Sequence, residues 1–400
     1  MMTKRLTTWL LFCLVFYWVL LYTGFYQLFY LLVACLLLPL VALIYYIFGW
    51  AIIKFEQRLH MQVVERNDQV ILEVKCHNKS ICFFPYVSVF CLWQDENGEK
   101  IIKRQSFILR PRSSFTLSFK FQANHCGLYK IGAYRAALRD VFGFYYWPKY
   151  SHRYWRENRR TVTIVPALRR TTEPWAQPQN WLPTGRQLSD SLSSELDTVA
   201  NVRSYRTGDA LKRVHWKLSA RLDEIMVKEF EDPRRKFVCF SAQPSAPSDS
   251  VLAVNLLDWQ LEAAVSSMYS FIEKHRQIRW LDASSSWQFA DANNSEQFEL
   301  VRQSMANFSW QDYSWPEHLI MRLENNPAEY LVLVAWQLDD KISHWLEFYQ
   351  SEGGRALLLL IVSEQAPNIS KKNEYWQQII DAGVQAYEIR AESLFERKDR

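Results

Sequence analysis

Hydrophobic and polar positions change texture three times along this chain. Between Arg5 and Lys54 no residue is charged, a run of 48 positions dominated by Leu, Phe, Tyr, Val and Ile. At about 1.5 Å per residue, about 20 residues cross a hydrocarbon layer. The run therefore predicts two crossings, about Leu6 to Tyr22 and Phe25 to Ile53, turning near Thr23 and Gly24. A cleaved signal peptide is the competing reading, but no small-residue cleavage site is present and the second apolar stretch follows at once. Lys4 and Arg5 precede the first crossing and Lys54 and Arg58 follow the second. Basic residues are retained on the cytoplasmic side, so both ends are expected to face the cytoplasm. Tyr17, Trp18, Tyr22, Phe25 and Tyr26 then mark one interface, and Tyr45, Tyr46 and Trp50 the other.

The second texture is a series of short apolar runs split by turn signals: Gln69 to Cys76, Tyr86 to Trp93, Lys100 to Phe107, Ser114 to Phe121, Gly127 to Leu138 and Thr161 to Val165. Alternation such as Phe115, Leu117, Phe119 and Phe121 predicts a small antiparallel β-sandwich over 55–165, serving as a spacer or docking body. From 237 onward strand-like runs alternate with helical ones. Phe237 to Ala242, Ile278 to Ala283, Leu331 to Trp336, Ala356 to Ser363 and Val384 to Ile389 read as strands. One helix face is marked by Leu257, Leu261, Ala264, Val265, Met268 and Ile272, and further helices fall near 295–307, 341–350 and 372–382. That alternation predicts a doubly wound α/β domain with a mainly parallel sheet over 237–400.

Composition narrows the picture. Aromatics at 15% and apolar residues at 49%, with 11 Gly and 14 Pro, exclude a disordered or collagen-like chain. Seven cysteines without a C-x-x-C pair argue against a disulfide framework or zinc ribbon and fit a reducing compartment. Cys76, His77, Cys82 and Cys91 are better read as strand residues than as metal ligands. The net charge of +5 hides an asymmetry: residues 1–152, 153–236 and 237–400 carry +9, +6 and −10. A domain boundary near 236 follows, with 166–236 as a basic segment between the sandwich and the α/β domain.

The candidate chemistry lies between Arg203 and Glu231. Gly208 and Asp209 suggest a capped turn, after which Leu211, Val214 and Leu218 repeat at helical spacing. On that helix Arg213, Lys217 and Arg221 would stack one turn apart, and His215 and Ser219 would form a second i, i+4 pair. Ile225 to Phe230 then alternates like a strand. Asp209, His215 and Ser219 are the residue types of a hydrolytic triad, yet no nucleophile elbow or oxyanion turn accompanies them. The cations are diluted by Asp223, Glu224, Glu229 and Glu231, which disfavours a nucleic-acid groove. A cationic ridge that holds an acidic partner, or simply a solvated helix face, remains.

The order R-x-Y-x-x-G-D…R-x-H-W-K-x-S-A-R followed by V-K-E-F-E resembles the signature of the bacterial family called domain of unknown function 58. It is carried here by Arg203, Tyr205, Gly208, Asp209, Arg213, His215, Trp216, Lys217, Ser219, Ala220, Arg221, Lys228 and Glu229. The segment from His125 to Trp147 resembles that family's G-x-Y-x-[IL]-G…D-x-F-G-[LF] pattern. The resemblance implies a membrane-tethered cytoplasmic protein without an assigned reaction, whose neighbours include a MoxR-type AAA+ ATPase and transglutaminase-like membrane proteins. It also implies a von Willebrand factor type A-like C-terminal half, whose metal motif D-x-S-x-S ends the first strand. Ser241, Ala242, Gln243, Pro244 and Ser245 stand there instead, so the carboxylate is missing and no metal is expected. With Gly only at 353, 354 and 383 in this half, no phosphate loop opens the sheet and no cofactor is expected. The expectation is a non-enzymatic scaffold or adaptor anchored in the bilayer through residues 6–53. The alternative is an enzyme acting on an envelope or small-molecule substrate through Asp209, His215 and Ser219.

Overall fold

The computed structural model describes residues 4–24, 26–95, 99–140, 142–148, 159–170, 173–177, 199–204, 214–222, 224–230, 237–244, 250–274, 276–283, 289–308, 319, 330–351, 354–363 and 369–391. The chain divides into two compact units, Met1–Val165 and Pro166–Arg400.

In the first unit the charge-free run forms two helices, α1 (Lys4–Thr23) and α2 (Tyr26–Ile52). Both are long and apolar enough to cross a membrane, over Lys4–Thr23 and Tyr26–Tyr45. Gly24 turns between them at φ +69°, a conformation that glycine adopts without strain, and its amide bonds to Leu20 O. The Trp9 indole donates across the pair to Cys35 O at 3.2 Å. The Tyr45 hydroxyl donates to Phe83 O and its ring packs on Phe84 at 5.5 Å, while Ile53 is fully buried in the β-core. The C-terminal part of α2 thus packs on the β-body that follows it.

That body holds two sheets. The first is β1 (Lys54–Leu59), β3 (Gln69–His77) and β6 (Ser114–Gln122), antiparallel in the order β1-β3-β6. The second combines β2 (Val63–Glu65), β4 (Phe84–Gln94), β5 (Lys100–Leu109), β7 (Gly127–Arg139) and β9 (Arg160–Val165) in the order β2-β9-β7-β4-β5. A short β8 (Tyr146–Pro148) pairs with β7. One pairing, β2 with β9, is parallel. Alternation sends Val70, Leu72, Val74 and Cys76 of β3 and Leu117, Phe119 and Phe121 of β6 into one core. Trp93 of the second sheet stacks on Phe121 of the first at 5.3 Å, so the two inner faces meet. Each such large side chain contributes about 1.5–3 kcal/mol on burial. Cys76 and Cys91 are packing thiols in this core, and burial pushes Cys76 up to about 12.

The second unit is built on a six-stranded sheet. Its strands are β12 (Val238–Ala242), β13 (Ile278–Leu281), β14 (Phe289–Ala292), β15 (Tyr330–Ala335), β16 (Ala356–Val362) and β17 (Gln385–Arg390). They lie in the order β14-β13-β12-β15-β16-β17, all neighbours parallel except the antiparallel edge strand β14. Helices α4 (Ser250–Glu273), α5 (Ser295–Met305), α6 (Asp340–Ser351) and α7 (Ile369–Asp381) alternate with the strands. Every residue of β12 and β15 is buried, as strands covered on both faces require. Cys239, Leu331, Leu333 and Leu358 join Ile342, Leu346 and Ile379 of α6 and α7 in one core. On the other face Phe240 meets Phe271 of α4 edge-on at 5.6 Å.

Helix α4 departs from the amphipathic expectation. Its predicted apolar face is buried apart from the half-buried Leu257, but so are Asp258, Gln260 and Glu262, at 1%, 0% and 0% exposure. The segment from Pro166 to Gln177 covers the outer side. Arg169 Nε reaches Glu262 Oε2 at 3.3 Å, the Ser270 hydroxyl donates to Ala176 O at 2.7 Å, and Trp175 is buried. Arg302 of α5, 4% exposed, donates to Pro166 O through Nε and Nη2 at 2.8 and 2.7 Å.

Candidate functional site

The signature segment folds as a short antiparallel ladder with a helix beside it. Strand β10 (Val199–Ser204) pairs with β11 (Met226–Phe230), setting Arg203 opposite Val227 and Val202 opposite Lys228. Val214 bridges to Val227 as well, and both valines are buried. Helix α3 (Trp216–Leu222) starts only after that bridge. This corrects the start of the predicted helix. Val214 is bridged into the ladder ahead of the helix, so it does not share a helical face with Leu218, and Leu211 lies outside the described residues. Of the three cations expected on one helix, Lys217 and Arg221 stand on α3 and are exposed, while Arg213 lies outside the described residues.

His215 is the cap of α3. Its carbonyl accepts from Leu218 N and Ser219 N at 2.9 Å, and its ring Nδ1 accepts from Leu218 N at 3.2 Å. The imidazole thus takes the place that a Ser or Asp oxygen usually fills at a helix start. His215 N donates to Met226 O at 2.8 Å. Ser219 closes the knot: its hydroxyl donates to His215 O at 3.0 Å and accepts from Met226 N at 2.9 Å. The i, i+4 relation of His215 and Ser219 is present, but it joins a hydroxyl to a backbone carbonyl rather than to the ring. Buried at 9% exposure and bonded on both sides, this hydroxyl acts as a structural tie.

With the polar groups turned inward, the outward face of α3 carries Trp216, at 65% exposure, together with Lys217 and Arg221. Tyr205, Gly208, Asp209 and Arg213 lie outside the described residues, as does Ser245. Arg203, Lys228 and Glu229 are placed in their strands by backbone pairing.

The other predicted position, at the end of β12, falls where the strand order reverses between β12 and β15. Such a crevice is the usual ligand position of an open α/β sheet. Here Gln243 occupies it, 1% exposed. Its amide N donates to Val334 O at 2.8 Å, and its side-chain Oε1 accepts from Trp336 N and Gln337 N at 3.1 and 3.2 Å. The Ser241 hydroxyl donates to Leu281 O at 3.2 Å. A neutral amide therefore bridges the two loops that meet at the crevice. Asp339 spends Oδ1 on Ile342 N at 2.8 Å, capping α6. No group of three or more His, Cys, Asp or Glu with metal-site geometry occurs among the described residues.

Residues 201–252 match the model of the family described as protein of unknown function DUF58, the family whose signature this segment resembles. No curated protein matches the sequence. Likenesses among solved structures include the CARDB domain of a Pyrococcus furiosus protein, 18% identical over 28% of this chain and 87% of that one, at a TM-score of 0.20. The C-terminal domain of wzt is 9% identical over 29% and 75%, at 0.22. A β-glucosidase from Erythrobacter marinus is 12% identical over 28% and 15%, at 0.21. At such scores they carry no argument about fold or function.

Proposed function

We propose that this protein is a membrane-tethered scaffold that recruits protein partners, among them a MoxR-type AAA+ ATPase, through the outward face of α3. In this reading α1 and α2 span the cell membrane, both termini and the folded units are cytoplasmic, and the Pro166–Arg400 unit carries a von Willebrand factor A-like domain. Its parallel sheet with one antiparallel edge strand supports that last assignment. Transglutaminase-like membrane proteins are further candidate partners.

The observation that carries the proposal is the division of labour around α3. His215 and Ser219 spend their polar atoms inside the segment, while a tryptophan at 65% exposure stands between them and two exposed cations. Tryptophan and arginine dominate the energetics of protein interfaces, and leaving an indole in water serves no folding purpose. The test is co-purification of the full chain, in mild detergent, with a MoxR-type AAA+ ATPase from the same organism. Replacing Trp216 with Ala, and Lys217 and Arg221 with Glu, is expected to abolish capture while the melting temperature stays within about 2 °C, because exposed side chains contribute little to stability. Capture at the wild-type level would remove this face from the binding role.

A further inference from the structure

The turn after β7 brings two arginines and an aromatic cleft together at the charged end of α1. Asp140, 3% exposed, fixes the turn: its carboxylate accepts from Tyr145 N at 2.7 Å and Phe142 N at 3.1 Å. Gly143 then adopts φ +77°. A Cβ at that position would lie 3.0 Å from Arg139 Nε and Nη2 and 3.2 Å from Arg5 Nη1. Two guanidinium groups, one from the helix and one from the sheet, therefore converge on one glycine, and a side chain there would push them apart. Neither makes an ion pair among the described residues, and the nearest carboxylate in the turn is already engaged by two amides.

Beside them opens a cleft of about 440 Å³ lined by Arg5, Thr8, Trp9, Phe12, Phe142 and Phe144. Its floor is rigid. Phe144 is buried against Leu6 and Ala42, its ring lies 5.7 Å from Trp9, and Phe142 stacks on it at 5.6 Å. Phe142 itself is 48% exposed. The cleft thus has a cationic mouth at the level of Arg5 and an apolar wall continuing along α1, at the depth where the charge-free run begins.

We infer that this cleft binds one anionic phospholipid, its phosphate held between Arg5 and Arg139 and an acyl chain lying against Trp9, Phe12 and Phe142. Two like charges that converge on one glycine favour a counter-anion, and the planar guanidinium fork matches phosphate geometry. The apolar wall selects a lipid over a free phosphate. The inference rests on the bilayer placement of α1 and α2 proposed above.

The probe is phosphatidylglycerol, measured against phosphatidylcholine by native mass spectrometry of the full chain released from detergent, with glycerol phosphate as competitor. One phosphatidylglycerol per chain is expected to persist under conditions that strip phosphatidylcholine, and glycerol phosphate should not displace it. Arg139→Gln, which leaves the helices intact, is expected to weaken retention roughly tenfold, as loss of one charge-assisted contact implies. Arg139→Lys should restore part of it, and Phe142→Ser should weaken retention of both lipids. Equal retention of the two lipids, or an unchanged Arg139→Gln variant, would overturn the site while leaving the membrane reading intact. Displacement by glycerol phosphate would overturn it in favour of a soluble anion site. Recovery of the chain in the aqueous fraction without detergent would overturn both.

Discussion

Replacing Ser219 with Ala tests the knot at the heart of the signature. The hydroxyl makes two bonds, to His215 O at 3.0 Å and from Met226 N at 2.9 Å. A net hydrogen bond contributes about 0.5–1.5 kcal/mol, and a buried amide left without an acceptor costs about 1–3 kcal/mol. Met226 is half-buried, so water relieves part of that penalty and the lower end applies. A total of about 2 kcal/mol corresponds to roughly a 30-fold increase in local opening. Hydrogen exchange of the full chain in detergent, read by mass spectrometry, should show faster exchange in peptides covering 214–230, while peptides of β15 and β16 stay unchanged. Lys217→Ala is the control and should leave exchange alone, since Lys217 is exposed. If Ser219→Ala leaves the 214–230 peptides within about threefold of wild type, the hydroxyl is not the tie described here.

Two other expectations concern the second unit and the thiols. Gln243→Ala withdraws the acceptor shared by Trp336 N and Gln337 N and should cost about 2–4 kcal/mol, seen as a lower melting temperature in detergent; Gln243→Glu keeps the acceptors and should recover part of the loss. Equal melting temperatures for wild type and Gln243→Ala would refute the bridge. Burial pushes the Cys76 and Cys239 thiols up to about 12 from an ordinary value of 9.0. Folding therefore favours their neutral form, and that stabilisation is present below about pH 9 and lost as pH rises toward 12. At pH 8 both should resist a thiol reagent until denaturant is added, and rapid native-state labelling of either would contradict the burial.

How far the sequence discloses this architecture depends on what decides each element. Strands such as Tyr330–Ala335 and Ala356–Val362 are continuous apolar runs whose burial is their own signal. The alternation in Gln69–His77 works the same way with period two. By contrast β10 reads VANVRS, whose two valines lie three residues apart and so do not alternate with period two, and its place is set by pairing with β11. The same ladder captures Val214 through Val227, overriding a helical spacing that fits Leu211, Val214 and Leu218 equally well. In α4 the wheel shows an apolar stripe but not the cover formed by Pro166–Gln177, so the burial of Glu262 becomes intelligible only with Arg169 beside it. The His215 and Ser219 pair was legible as a spacing. Its use for capping was not, because capping depends on where the helix begins.

The central claim is that two helices hold the folded units at the cytoplasmic face of the membrane, where α3 meets a protein partner. A protease added to spheroplasts bearing the full chain with a C-terminal epitope tests it most directly. The epitope should survive outside treatment and disappear only after the spheroplasts are lysed. Loss of the epitope in intact spheroplasts would put the folded units on the other side and contradict the account.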